Sequence, residues 1–226
     1  MKKLSVIIAA AGSGSRMGNI PKQIAELNGK PVIIHSMEVF DRIEAVTEII
    51  VVTRDEYTET IRKAAEKYRI TKPLKFAEGG ETRQQSVING LKQASPESGL
   101  IAIHDAARPL IKEEHVRRCI RDAEVFGGAA LGVPVKDTIK EAEGGLVVDT
   151  PDRSRLYIIQ TPQIFDRELY VKGVNFALRN ELDFTDDCQL VEAVGGKINI
   201  TLSNYCNIKI TTPEDMKIAE ILSKNS

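Results

Sequence analysis

Several features are scarce in this sequence of 226 residues, and each absence narrows the classes of protein to consider. Its three cysteines, Cys119, Cys188 and Cys206, are odd in number and far apart, so we expect thiols in a reducing compartment and not a disulfide scaffold. No apolar run is long enough to span a bilayer, which predicts a cytoplasmic protein without a membrane partner. The formal net charge is −1, so we expect no nucleic-acid partner.

The stretch from Leu4 to Gln23 is the most informative part of the chain. Leu4–Ala9 is a short apolar run without helical periodicity, which predicts a buried parallel strand. Small residues follow, and such a loop leaves backbone N–H groups bare for phosphate oxygens. Arg16 adds a planar guanidinium group that can donate two parallel hydrogen bonds to phosphate, and Lys22 adds a compact ammonium group. The stretch therefore predicts a triphosphate site. The loop residues are Ala10, Ala11, Gly12, Ser13 and Gly14.

Other interpretations of this stretch fit its residues less well. A secretory signal would combine Lys2 and Lys3 with a cleavage site near Ala11, but its apolar part is at the short limit and runs into a patterned chain. A dinucleotide-binding fingerprint needs a glycine where Met17 stands. No Gly-Lys-Ser or Gly-Lys-Thr follows, which excludes a P-loop, and an ordinary tight turn would not explain the two cations.

Strand and helix patterns alternate over the first two thirds of the chain. The alternation predicts a Rossmann-like α/β fold, in which a mostly parallel twisted sheet carries helices on both faces of one domain, residues 1–226. The predicted strands are Leu4–Ala9, Glu48–Thr53, Leu74–Ala77, Leu100–His104, Ala129–Val135, Leu156–Gln160, Lys197–Leu202 and Cys206–Ile210. The predicted helices are Pro31–Arg42, Glu56–Tyr68, one around Val87–Leu91, Glu113–Phe126, Asp166–Arg179, one capped by Thr185, and one from Pro213.

Asp105 comes directly after the buried strand Leu100–His104. Ligands of such sheets bind beyond the carboxyl ends of the strands, which puts Asp105 on the same edge as the loop after Leu4–Ala9. An isolated aspartate is more often a cap or a solvated turn residue. On the phosphate side it is a candidate ligand for Mg²⁺ or another divalent cation, since nucleotide-bound Mg²⁺ takes one or two carboxylates.

The pattern changes between Asp137 and Arg155. Two alternating runs flank Gly144-Gly145, which predicts a β-hairpin with too little apolar surface to be stable alone. We therefore expect a protruding arm, at about 137–155, that packs against a second subunit in a homodimer. Arg153 in this arm and Lys209 in the last predicted strand are ordinary surface cations by their spacing alone.

Short motifs occur along almost the whole chain. They are AAAGSGSRMG at 9–18, PKQ at 21–23, GGETRQQSV at 79–87, HDAARP at 104–109, VKDTIK at 135–140, TPQIF at 161–165, TDD at 185–187 and IKITTPEDM at 208–216. Together and in this order they resemble the cytidylyltransferases of the nonmevalonate isoprenoid pathway, which act on 2-C-methyl-D-erythritol 4-phosphate. Ribitol-5-phosphate cytidylyltransferases share several of these signatures, so that acceptor stays open.

The resemblance implies that CTP and a sugar-alcohol phosphate react with release of pyrophosphate, and it implies roles for individual residues. Arg16, Lys22 and Lys209 would be catalytic. The implied nucleotide-binding residues are Ala10, Ala11, Gly12, Gly14, Gly80, Ser86 and Asp105, with Asp105 also at the metal. The implied substrate-binding residues are Arg108, Thr138, Arg153, Thr161 and Thr185, with the arm reaching the partner subunit.

Two other classes are possible from the residues alone. A nicotinamide oxidoreductase would need an acidic ribose ligand after the second strand, and Asp55 comes too late in the sequence for that role. A binding module without catalysis would leave Arg16, Lys22 and Lys209 together unexplained. Pyrophosphate release from CTP separates both from a cytidylyltransferase.

Overall fold

The computed structural model describes residues 1–12 and 24–224, so Gly14, Arg16 and Lys22 lie outside the described residues. The first half of the chain forms the strands β1 Leu4–Ala9, β2 Glu26–Leu27, β3 Lys30–Pro31, β4 Val46–Thr53, β5 Leu74–Glu78 and β6 Leu100–Asp105. The helices among them are α1 Val32–Asp41, α2 Asp55–Lys67 and α3 Arg83–Gln93.

The second half adds α4 Glu113–Phe126, β7 Gly128–Pro134, β8 Glu141–Glu143, β9 Leu146–Asp149, a 3₁₀ turn at Arg153–Arg155, β10 Tyr157–Asp166, α5 Arg167–Arg179, α6 Asp187–Glu192, β11 Asn199–Leu202 and α7 Pro213–Lys224. Among the described residues, no helix is long and apolar enough to cross a bilayer.

Seven strands form one sheet in the order β11-β7-β10-β6-β1-β4-β5. Every neighbouring pair is parallel except the two pairs that involve β10, which runs against β6 and β7. The central strands are continuous apolar runs because helices cover both faces, and a hydrophobic cluster lies on each face. The predicted α/β fold with a mostly parallel sheet is confirmed.

The carboxyl edge of the sheet positions the loops that matter for function. β1 lies between β4 and β6, and Ala9 at the end of β1 is level with Asp105 at the end of β6. The Ala106 N–H donates to the Ala9 carbonyl at 3.1 Å, which joins the loops that follow these two strands. The rule that ligands bind at this edge therefore applies to Ala10–Gly12 and to Asp105.

The predicted hairpin is present as a separate two-stranded sheet. β8 and β9 pair antiparallel around Gly144 and Gly145, whose φ angles of 56° and 85° suit a tight two-residue turn. All residues of both strands are exposed, including Leu146, Val147 and Val148. The hairpin exists in the chain, and its role as a dimerisation arm stays a prediction.

Two local predictions are wrong. Cys206–Ile210 is not a strand, because Asn204 Oδ1 accepts from the N–H groups of Cys206 and Asn207 and turns the backbone away from the ladder. Thr185 does not cap α6. The cap is Asp186, which accepts from the Gln189 N–H at 3.1 Å, whereas the Thr185 hydroxyl donates to Gln189 Oε1.

Candidate active site

A cleft of about 500 Å³ opens at the carboxyl edge of the sheet. Its described lining contains the predicted residues Ala10, Ala11, Gly12, Gly80, Ser86, Asp105 and Lys209, and also Arg54, Glu78 and Arg83. Within the described residues the N–H groups of Ala11 and Gly12 make no hydrogen bond, so they are free to meet a ligand. Unpaired N–H groups are what a phosphate-binding loop requires, and the binding of phosphate by this loop stays a prediction.

Asp105 is the electrostatic centre of the cleft. Its carboxylate lies 2.9 Å from Lys209 Nζ, 3.5 Å from Arg108 Nε and 3.9 Å from Arg83 Nε. Burial alone would raise the pKa of Asp105, but the charges of Lys209 and Arg83 outweigh it and lower that pKa to about 2. Asp105 is therefore ionised at neutral pH although it is only 7% exposed.

Lys209 reaches Asp105 from an irregular segment and not from a strand. The Ile210 N–H donates to the Ala107 carbonyl at 2.8 Å, so this segment is tied to the loop that follows β6. The Lys209 side chain is 39% exposed and lines the cleft, while its ammonium group contacts the Asp105 carboxylate. Spacing alone predicted an ordinary surface lysine, and the structure places Lys209 in the lining of the cleft.

Arg83 is a cleft residue to which sequence reasoning gave no role. It is the first residue of α3, where its Nη1 donates to the carboxylate of Asp187 at 2.6 Å. Burial by itself lowers the pKa of Arg83, but the carboxylates of Asp187 and Asp105 raise it above its ordinary value. Arg83 lies inside the segment GGETRQQSV, and its position just after the Gly-Gly loop was the available signal.

The loop from Gly79 to Thr82 is held close to the loop after β1. A Cβ on Gly79 would collide with the Cβ of Ala11, so only glycine allows this approach. Ser86 accepts from the Gly80 N–H at 2.9 Å and donates to the Thr82 carbonyl at 2.9 Å. Ser86 therefore organises this wall of the cleft with its hydroxyl group.

The predicted substrate-binding residues occupy three separate places. Arg108 packs against Asp105, and the buried Thr161 accepts from the Asp105 N–H at 3.0 Å behind the cleft. Thr185 lies in a second hollow with Gln189 and Ile200. Thr138 and Arg153 belong to the hairpin segment, where Arg153 Nη1 donates to the Lys136 carbonyl at 2.8 Å. Within the described chain Arg108 and Thr161 join the cleft cluster, and the other three residues do not.

The carboxyl edge of this α/β sheet combines a loop with backbone amides, an ionised aspartate and a lysine. These features are typical of nucleotide-binding α/β proteins. Comparison with known proteins specifies the family. The family profile of 2-C-methyl-D-erythritol 4-phosphate cytidylyltransferase (IspD) matches residues 4–225, so the chain belongs to this family. The predicted family and the predicted nucleotidyltransferase class are thereby confirmed.

Individual relatives agree with the family profile. A protein named 2-C-methyl-D-erythritol 4-phosphate cytidylyltransferase from Caldanaerobacter subterraneus subsp. tengcongensis is 46% identical and covers 96% of this chain and 97% of its own length. The chloroplastic protein of that name from Oryza sativa subsp. japonica is 42% identical, over 98% of this chain and 74% of its own length. The crystal structure of 4-diphosphocytidyl-2C-methyl-D-erythritol synthase from Anaerococcus prevotii superimposes with a TM-score of 0.88 at 34% identity, covering 99% of this chain and 96% of that one.

Proposed function

We propose that the cleft beside Asp105 transfers CMP from CTP to 2-C-methyl-D-erythritol 4-phosphate. A phosphate oxygen of the acceptor bonds to the α-phosphorus of CTP while the bond to the β-phosphate oxygen breaks. The products are 4-diphosphocytidyl-2-C-methyl-D-erythritol and pyrophosphate. The observation that carries the proposal is the Asp105–Lys209 contact of 2.9 Å, in a member of this family. Beside it are the N–H groups of Ala11 and Gly12, which have no hydrogen-bond partner in the part of the chain that the structure describes.

The reaction needs positioning and charge compensation more than proton transfer. The attacking phosphate oxygen is already ionised near neutral pH, so no general base is required. Catalysis then depends on groups that hold the two reactants in line and stabilise the charge that develops on the phosphoryl group. The cleft fits this demand, because its described lining offers cations and amides in place of a nucleophile paired with histidine.

Lys209 is suited to the phosphates that react. Asp105 holds its ammonium group at the wall of the cleft, so the charge is already oriented when substrate arrives. The described lining of the cleft carries equal numbers of positive and negative side chains, so it has no net positive charge. The cations are Arg54, Arg83 and Lys209, and the carboxylates are Glu78, Glu81 and Asp105. A bound triphosphate therefore needs further cations, and Arg16 and Lys22 remain the predicted ones.

Asp105 also fits a one-carboxylate site for Mg²⁺. Its Oδ2 contacts Lys209 and Arg108, whereas its Oδ1 lies 3.9 Å from Arg83 Nε. Within the described residues no group of three or more metal-binding side chains is present, so phosphate oxygens and water would supply the remaining ligands. When bound, Mg²⁺ would neutralise charge on the phosphates of CTP.

The hairpin is proposed to contact a second subunit, and this contact would complete the binding site of the acceptor. The exposed apolar residues Leu146, Val147 and Val148 of the hairpin suit burial against another copy of this chain. In that arrangement Thr138 and Arg153 would reach the acceptor phosphate of the partner's site. Arg108 would contact the acceptor within the same chain, whereas the buried Thr161 would act on the site only through the Asp105 backbone. Thr185 lies in a separate hollow, so it would meet the acceptor only at a distance from the Asp105 cleft.

The test is pyrophosphate release from CTP and Mg²⁺ with 2-C-methyl-D-erythritol 4-phosphate or ribitol 5-phosphate offered separately. The expected result is release with the first acceptor and little with the second. Lys209→Met serves as the control for contaminating activity, because it removes the cleft cation while keeping the length of the side chain. Release only with ribitol 5-phosphate, or equal release from wild type and control, would overturn the proposal.

A further inference from the structure

His104 is a fully buried polar residue to which the proposed reaction gives no role. It precedes Asp105 in β6, and because side chains alternate along a strand it points to the opposite face of the sheet. There its ring packs edge-on against Phe40, with centroids 5.2 Å apart and ring planes at 71°. His104 therefore cannot touch a ligand in the cleft, and any effect on the reaction must pass through other residues.

Both ring nitrogens of His104 have partners. Nε2 lies 3.3 Å from the Arg108 carbonyl and 3.2 Å from Ser36 Oγ, whose own proton goes to the same carbonyl at 3.1 Å. Nδ1 lies 3.2 Å from Thr161 Oγ1. Since a carbonyl only accepts, Nε2 carries the proton, and Nδ1 of the neutral ring accepts from the Thr161 hydroxyl. Burial lowers the pKa of His104 to about 4, which agrees with a neutral ring.

Thr161 connects His104 to Asp105 by hydrogen bonds. Its Oγ1 accepts from the Asp105 N–H at 3.0 Å, so one hydroxyl joins the imidazole to the backbone of the cleft aspartate. The Thr161 carbonyl also accepts from Asn207 Nδ2 at 3.1 Å. Asn207 is two residues before Lys209, so Thr161 lies between the segments that carry the two partners of the ion pair.

Arg108 forms a second connection from the same ring. Its carbonyl accepts from His104, while its Nη1 donates to the Asn207 carbonyl at 2.8 Å and its Nε lies 3.5 Å from Asp105 Oδ2. The imidazole thus bonds directly to Arg108, at one end of the turn, and through the Thr161 hydroxyl to Asp105, at the other end. A ring that lost either contact would leave a buried polar group without its partner.

We propose that His104 is a positioning residue, which sets the Asp105 carboxylate and the Lys209 ammonium group for reaction by holding Thr161 from the opposite face of the sheet. The inference rests on the proposed function, because it concerns the Asp105–Lys209 pair of that reaction. The Thr161 connection carries the effect, because it reaches the Asp105 backbone through a single hydroxyl.

Two substitutions separate the two ring nitrogens. In His104→Asn the amide oxygen can occupy the place of Nδ1 and accept from Thr161, whereas in His104→Gln the longer amide can take the place of Nε2 and donate to Arg108. We expect His104→Gln to lower kcat about tenfold, as for the loss of one buried hydrogen bond, and His104→Asn to stay within about threefold. KM for both substrates should change less than kcat.

Thr161→Val breaks the same contact from the other side. If the contact acts through Thr161, the double variant His104→Gln/Thr161→Val should have a kcat no lower than that of either single variant. Phe40→Leu is the matched control for loss of packing. It should lower the melting temperature while kcat stays within about twofold of wild type, because it removes no hydrogen bond.

A measurement that does not depend on turnover completes the test. Amide hydrogen exchange of Asp105, followed by NMR, should accelerate in His104→Gln and Thr161→Val but not in His104→Asn or Phe40→Leu. Wild type that fails to release pyrophosphate would refute the proposed function, and the exchange data would still decide the contact. The role of His104 would be overturned if His104→Gln kept the exchange rate and kcat of wild type. It would also be overturned if His104→Asn and His104→Gln lost kcat equally.

Discussion

Replacing Asp105 with asparagine tests the electrostatics of the cleft most directly. The change keeps size and removes the charge that faces Lys209, Arg108 and Arg83. The difference between the ordinary pKa of 3.8 and the lowered value of about 2 corresponds to roughly 2.5 kcal/mol of folding free energy at neutral pH. Because Asp105 is almost fully buried, solvent screens its charge interactions only weakly. We therefore expect Asp105→Asn to lower the free energy of unfolding by about the same amount.

The pH dependence has a definite sign. The pKa of Asp105 is lower in the folded protein, so its stabilisation is complete above about pH 5 and is lost as the pH falls through about 2. The difference in unfolding free energy between wild type and Asp105→Asn should therefore shrink to roughly half near pH 3. Urea unfolding followed at neutral and acidic pH measures this difference.

Activity adds a second readout to the same variant. Asp105→Asn should raise the Mg²⁺ concentration required for pyrophosphate release. The control is Glu48→Gln, since Glu48 is buried at the far end of the sheet, where it pairs with Lys75 at 2.7 Å. We expect this control to be less stable with an unchanged Mg²⁺ requirement. A difference in stability that does not vary with pH, or a wild-type Mg²⁺ titration in Asp105→Asn, would refute the reasoning.

Three further predictions concern residues of the proposed site. Lys22→Ala should fold normally and lose on the order of 2.7–4 kcal/mol of transition-state stabilisation, measured as kcat; near-normal turnover would exclude the role. CTP should be used in preference to UTP, because the cytosine amino group needs an acceptor that the carbonyls near Gly79–Ser86 can supply; equal rates would count against this pocket. Mixing inactive Lys22→Ala and Arg153→Ala proteins should restore up to about a quarter of the sites if two subunits share each site. A monomer by light scattering, or a mixture that stays inactive, would contradict sharing.

The sequence predicted the central strands well, because burial on both faces demands continuous apolar runs. β1 and α4 begin and end at the predicted residues, and β4 and β6 differ by two residues or fewer. β10 was predicted only as Leu156–Gln160, because its second half includes Thr161 and Gln163, polar residues that pair with partners distant in sequence. Neither its length nor its antiparallel direction was visible in local periodicity.

The sequence alone determined the family, the α/β alternation and the small-residue loop, since these depend on local composition and on motifs in order. The tertiary structure decided which charges meet. Lys209 is more than 100 residues from Asp105 in the chain, and the two come together only because an irregular segment returns to the loop after β6. His104 and Thr161 join across β6 and β10 for the same reason. Local patterns determine which residues are buried, but the order of the strands in the sheet determines which of them become neighbours.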